Sequence, residues 1–132
     1  MDLQANIFAT LDGTVKSHKM SPANVYMRFA EYISVENCSF SKFGSAGLDL
    51  QRGVNNVAII GNTFKDLSGI GIQIGELSLP YIAPMDPKAV RDILIMNNYI
   101  TNCSVEYMGG PGIFAGYVRN VRIEHNSISN LP

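Results

Sequence analysis

Four segments of this chain align on one another without a gap, and that repeat restricts the fold more than any other feature. They run from Ile33 to Phe43, Val57 to Leu67, Ile93 to Cys103 and Val121 to Leu131. Four apolar columns result: Ile33/Val57/Ile93/Val121, Val35/Ile59/Ile95/Ile123, Phe40/Phe64/Ile100/Ile128 and Phe43/Leu67/Cys103/Leu131. Ala30, Val54, Val90 and Val118 precede their segments by the same step. Downstream, Gly47-Leu48-Asp49-Leu50 answers Gly71-Ile72-Gln73-Ile74, and Gly112-Ile113-Phe114-Ala115 follows after five extra residues. Val25-Tyr26-Met27 reads as the closing strand of an earlier coil.

The alternation within each segment is that of a strand with one face inward. No helical period separates the strands, so βα units are excluded. Stacking a coil on the last, ~4.8 Å away, pairs every strand in parallel and continues each apolar column. The expected fold is all-β, a right-handed parallel β-helix of ~24-residue coils. An antiparallel sandwich does not require the same columns in the same order, and the L-x-x-L-x-L spacing of a leucine-rich repeat is absent. Residues 1–22 read as an N-terminal strand or cap-like segment. Residues 23–132 read as the coils, with loops inserted at 76–89 and 104–111.

Two turn columns account for residues that otherwise suggest chemistry. Cys38/Asn62/Asn98/Asn126 predicts an amide ladder up the stack. Asn37/Gly61/Asn97/His125 holds residues that tolerate a left-handed backbone, so His125 is expected to be a turn residue rather than a catalyst. Cys38 and Cys103 lie two coils apart, ~10 Å along the axis, beyond the ~7 Å that a disulfide spans. Both are expected to be free, buried thiols. His18 lies in the unaligned N-terminal stretch.

Composition fits this architecture. Only 16% of the 132 residues are charged, against about 25% in ordinary soluble domains. A solenoid fills its interior with aliphatic residues and its turns with Asn, Gly and Ser. Ten basic against eleven acidic residues give a net charge of −1, which excludes a polybasic nucleic-acid or membrane-surface binder. There is no apolar run of ~18 residues to span a membrane, and no signal peptide at Met1-Asp2-Leu3-Gln4.

With the interior filled, function is expected on the outer faces and in the loops. A glycosidase needs two carboxyl groups, ~5–5.5 Å apart for retention or ~6.5–9.5 Å for inversion. Asp49 shares its outward column with Gln73 and Phe114, without an acidic partner there. Glu36 and Glu124 share a column but stand three coils apart, ~14 Å. The loops supply better candidates: Glu76 opens the first, which carries Tyr81 and Asp86, and Glu106 and Tyr107 lie in the second. A ring beside a carboxylate suits sugar binding, the ring packing on C–H bonds and the acid taking hydroxyls.

The chain resembles bacterial right-handed parallel β-helix proteins of the pectate-lyase-like superfamily, and most the glycoside-hydrolase-like branch. The motifs concerned are Ala46-Gly47-Leu48-Asp49-Leu50, Gly71-Ile72-Gln73-Ile74-Gly75-Glu76, Val105-Glu106-Tyr107, Gly112-Ile113-Phe114-Ala115-Gly116-Tyr117 and the stretch from Glu124 to Pro132. The resemblance implies a cofactor-free hydrolase of a poly- or oligosaccharide, secreted or periplasmic. Glu106 and Glu76 are then the candidate catalytic carboxylates, and Asp49, Gln73, Tyr107 and Phe114 the candidate substrate-binding residues. No metal is expected. In that family the segment resembling Ser129-Asn130-Leu131-Pro132 runs on into a Gly- and Trp-rich strand, so a C-terminally incomplete fragment is expected here. A non-catalytic binding or structural module of a surface protein is the alternative. A polysaccharide lyase ranks lower, since Arg52, Arg91, Arg119 and Arg122 have no acidic cluster beside them. The expected partners are carbohydrate and, through open solenoid ends, a second copy of the chain.

Overall fold

A computed structural model describes residues 22–75, 83 and 85–132. The described residues contain strands and turns but no helix. The strands are β1 (Ala23–Met27), β2 (Glu31–Glu36), β3 (Ser39–Ser41), β4 (Ala46–Leu50), β5 (Asn55–Ile60) and β6 (Thr63–Lys65). They continue as β7 (Ile72–Ile74), β8 (Val90–Met96), β9 (Tyr99–Thr101), β10 (Ile113–Ala115), β11 (Val118–Glu124) and β12 (Ser127–Ser129). Every third strand joins the same sheet, giving β1-β4-β7-β10, β2-β5-β8-β11 and β3-β6-β9-β12. All neighbours are parallel. Three parallel sheets, each gaining one strand per turn of chain, are consistent with a parallel β-helix.

Strand register reproduces the sequence columns residue for residue. Ile33 pairs with Val57, Val57 with Ile93, and Ile93 with Val121. Phe40, Phe64, Ile100 and Ile128 follow one another in the third sheet. Val25 pairs with Leu48, so β1 is the last strand of an earlier coil. The inward columns fuse into one core, in which Phe64, Leu48, Ile59, Ile72 and Ile95 are wholly buried. Phe40 stacks on Phe64 with ring centroids 4.6 Å apart and meets Phe43 edge-on. Burying one such side chain contributes roughly 1.5–3 kcal/mol, so these columns set the register.

The Asn ladder is present. Oδ1 of Asn62 accepts the Cys38 N–H, Oδ1 of Asn98 the Asn62 N–H, and Oδ1 of Asn126 the Asn98 N–H, each at 2.9 Å. Each Nδ2 donates in turn to a strand carbonyl of the preceding coil: Val35, Ile59 or Ile95. The left-handed column is present as well, with φ of 53° at Asn37, 68° at Gly61, 56° at Asn97 and 54° at His125. Two further columns share that backbone: Tyr32/Asn56/Asp92/Asn120 and Lys42/Asp66/Asn102/Asn130. Each coil therefore turns at three fixed points.

Cys103 is buried and free, whereas Cys38 is free but exposed. The expectation of burial fails for Cys38, which heads the ladder among the described residues. Its thiol donates to the Glu36 carbonyl at 3.3 Å. Burial pushes the Cys103 thiol up to about 11, with nearby Asp66 acting the same way against opposing hydrogen bonds from Leu67 and Thr101.

The glycines that open the first-sheet strands have a steric cause. A Cβ on Gly47 would lie 2.7 Å from the Gly71 carbonyl oxygen, and one on Gly71 would lie 2.8 Å from that of Gly112. Backbones of successive coils approach too closely there for any side chain.

Candidate functional site

Alternation along β4 and β7 places Asp49 and Gln73 on the face opposite the core, paired in register, with Phe114 next in the same column. That face is not open, however. Asp49 is 3% exposed and Gln73 0%, because β4 and β7 are buried on both sides. Oδ2 of Asp49 accepts a hydrogen bond from Gln51 Nε2 at 2.5 Å. Gln51 Oε1 accepts one from Arg28 Nε, and the Arg28 guanidinium stands 5.6 Å from the centre of the Tyr26 ring. Asp49 is thus tied into a polar chain leading outward to the first-sheet edge. Phe114 is half-buried.

The second loop is pinned rather than free. The N–H groups of Glu106 and Tyr107 both donate to the Ser68 carbonyl, and that of Ser104 to the Gly69 carbonyl. Tyr107 is buried, and its hydroxyl donates to the Gly44 carbonyl at 3.0 Å. The ring braces two coils instead of lying open beside a groove. Glu106 is exposed on the same loop. Glu76 and Tyr81 lie outside the described residues. Among the described residues, no group of three His, Cys, Asp or Glu side chains could hold a metal ion.

An open polar face lies elsewhere, on the third sheet. Its inward residues are Phe40, Phe64, Ile100 and Ile128, so the residues on either side of each point outward. One outward column reads Ser39, Thr63, Tyr99, Ser127 and the other Ser41, Lys65, Thr101, Ser129. Seven of these eight side chains carry a hydroxyl, at the ~4.8 Å spacing of adjacent strands, and all of the seven except that of buried Thr101 are at least partly exposed. Tyr99, flanked by Thr63 and Ser127, is 46% exposed. Thr101 Oγ1 accepts hydrogen bonds from Ser129 Oγ at 3.1 Å and Asn130 Nδ2 at 3.3 Å. Asn102 Nδ2 donates to Asp66 Oδ1 at 2.7 Å along the adjoining turn. Donors and acceptors in register around one exposed ring suit a polyhydroxylated ligand.

The sequence carried this signal in its outward positions on either side of Phe40, Phe64, Ile100 and Ile128. Only Thr alignment stands out there, and Thr63 and Thr101 fall in different columns. The shared property is the hydroxyl, spread over Ser, Thr and Tyr.

Comparison with protein-family models, curated proteins and solved structures returned no match.

Proposed function

We propose that this chain forms a right-handed parallel β-helix, of pectate-lyase-like kind, that binds a poly- or oligosaccharide on its third sheet. A general preference of parallel connections supports the right-handed sense. β2 and β5 are parallel neighbours in one sheet, joined through β3 and β4 in others, and such crossovers are right-handed in about 98% of cases. Binding is carried by one observation: the exposed Tyr99 ring sits in a lattice of outward hydroxyls. The ring offers a surface for sugar C–H bonds. Thr63 and Ser127 beside it, with Lys65 and Ser129 in the neighbouring column, supply hydrogen bonds to sugar hydroxyls.

Binding without turnover is the leading reading, because Asp49, Gln73 and Tyr107 are buried and Asp49 and Tyr107 are hydrogen-bonded internally. Glycoside hydrolysis is the second reading, favoured by the exposed Glu106 carboxylate. It requires a second carboxylate, for which Glu76 is the candidate. Affinity electrophoresis through gels containing single polysaccharides tests the first reading: retardation in at least one gel, lost in Tyr99→Ala, is expected. A reducing-sugar assay on the same polysaccharides tests the second, with release that Glu106→Gln lowers by orders of magnitude.

A further inference from the structure

The second sheet carries an apolar block on its outer face, and we infer that a second copy of this chain docks on it face to face. Val57, Ile59, Ile93 and Ile95 point into the core, so the residues that alternate with them point outward. Two outward columns result: Ser34, Ala58, Leu94, Arg122 and Glu36, Ile60, Met96, Glu124. Ala58, Ile60, Leu94 and Met96 are contiguous on β5 and β8, and all four are partly exposed. The first sheet is closed over the same coils, where Asp49 and Gln73 are buried. The third sheet is polar there, with Thr63, Lys65, Tyr99 and Thr101 outward. The apolar block therefore belongs to the second sheet and is not a by-product of the repeat.

The pattern at its borders selects a second copy as the occupant. On the flanking strands β2 and β11, the first column holds donors, Ser34 and Arg122, and the second holds carboxylates, Glu36 and Glu124. Within one chain Ser34 Oγ donates to Glu36 Oε1 at 2.7 Å and Arg122 Nη2 to Glu124 Oε1 at 2.9 Å. A two-fold axis between two such sheets, parallel to the stack of coils, reverses the strands and keeps each coil level with its counterpart. The first column of each copy then faces the second column of the other.

Every facing pair is matched. Ala58 meets Ile60 of the second copy, small against large, and Leu94 meets Met96. Ser34 faces Glu36 of the second copy and Arg122 faces its Glu124. The Arg122 side chain is 67% exposed, free to reach both carboxylates. Each contact occurs twice, as an isologous interface requires, and the assembly closes at two. An apolar centre within a polar rim is the anatomy of a protein interface, and facing sheets pack ~10 Å apart. A purely apolar occupant such as a lipid tail leaves the four rim groups unmatched.

Two columns across four strands bury less than the ~800 Å² per partner of a standard interface, so the dimer is weak and dissociates on dilution. The third sheet, with Tyr99, lies outside the contact.

Sedimentation velocity of the full chain under reducing conditions, from micromolar to near-millimolar concentration, tests this. The weight-average mass should rise towards that of a dimer and go no further. Leu94→Asp should abolish the rise. Arg122→Glu and Glu124→Arg should each weaken association roughly tenfold, by setting like charges across the axis. Mixing these two variants should restore it, because the mixed pair again brings opposite charges face to face. Circular dichroism of each variant should match the parent. Monomer at every concentration would overturn the proposal, whichever segment or ligand takes the face instead. So would association that Leu94→Asp leaves intact, growth beyond the dimer, or mixed variants that associate no better than each alone.

Discussion

The side-chain oxygen of Asn98 accepts two hydrogen bonds from Asn62, one from its backbone N–H at 2.9 Å and one from its Nδ2 at 3.1 Å. Both residues are buried, so water cannot replace either bond. Asn98→Leu strands two donors and the Ile59 carbonyl in the interior, at a cost of about 2–5 kcal/mol. Asn126→Ala removes the corresponding acceptor at a partly exposed position, at a cost of about 1 kcal/mol. Urea midpoints measure both. Equal losses would contradict a ladder whose strength follows burial.

Close approach of the coils makes a second prediction. A methyl on Gly71 meets the Gly112 carbonyl oxygen at 2.8 Å and Ile100 Cγ2 at 3.0 Å. The carbonyl belongs to the strand ladder and has little room to move, so Gly71→Ala should cost about 1–3 kcal/mol. Gly44→Ala, with nothing within 4 Å, should cost much less. Thermal unfolding of the pair reads the difference.

The left-handed columns separate structure from chemistry at His125. Its φ of 54° is shared by Asn and Gly in the other coils, and Asn bears that backbone at lower cost than most residues. His125→Asn should keep or raise stability, by up to about 1 kcal/mol, and leave glycan binding unchanged. Tyr32→Asn should stabilise in the same way, because its column continues as Asn56, Asp92 and Asn120. Denaturant titration and the gel assay together check both variants.

The cysteines should differ in reactivity. Cys38 is exposed, while Cys103 is buried with its thiol pushed up to about 11. A thiol reagent at pH 8 should modify Cys38 at once and Cys103 only on unfolding. The folded state holds the Cys103 proton more tightly than the unfolded state, where the ordinary value is 9.0. Its contribution to stability is therefore complete below pH 9 and is lost as the pH rises towards 11. Cys103→Ala should flatten that part of the stability profile. An unchanged slope would show that other groups cause it.

The stacked coils were legible in the sequence because each column repeats one physical demand. Phe40, Phe64, Ile100 and Ile128 fill the same space, and Asn62, Asn98 and Asn126 satisfy the same turn. The site was less legible. Asp49 and Gln73 alternate correctly onto the non-core face, yet period-two alternation says nothing about what lies over that face, and it is buried. Tyr107 has the residue type of a sugar platform, but its hydroxyl is committed to Gly44 across a coil, a long-range contact that no spacing rule announces. The open face around Tyr99 escaped because its hydroxyls come from three residue types.

Glycan binding through that face is the central claim, and calorimetric titration of a retarding polysaccharide's oligomers into the parent chain and Tyr99→Ala tests it most directly. The parent should bind with a measurable enthalpy. Tyr99→Ala should lose roughly 1–3 kcal/mol of affinity while unfolding at the same temperature, with Tyr99→Phe retaining most of the binding. Equal affinities for the parent and Tyr99→Ala would contradict the claim.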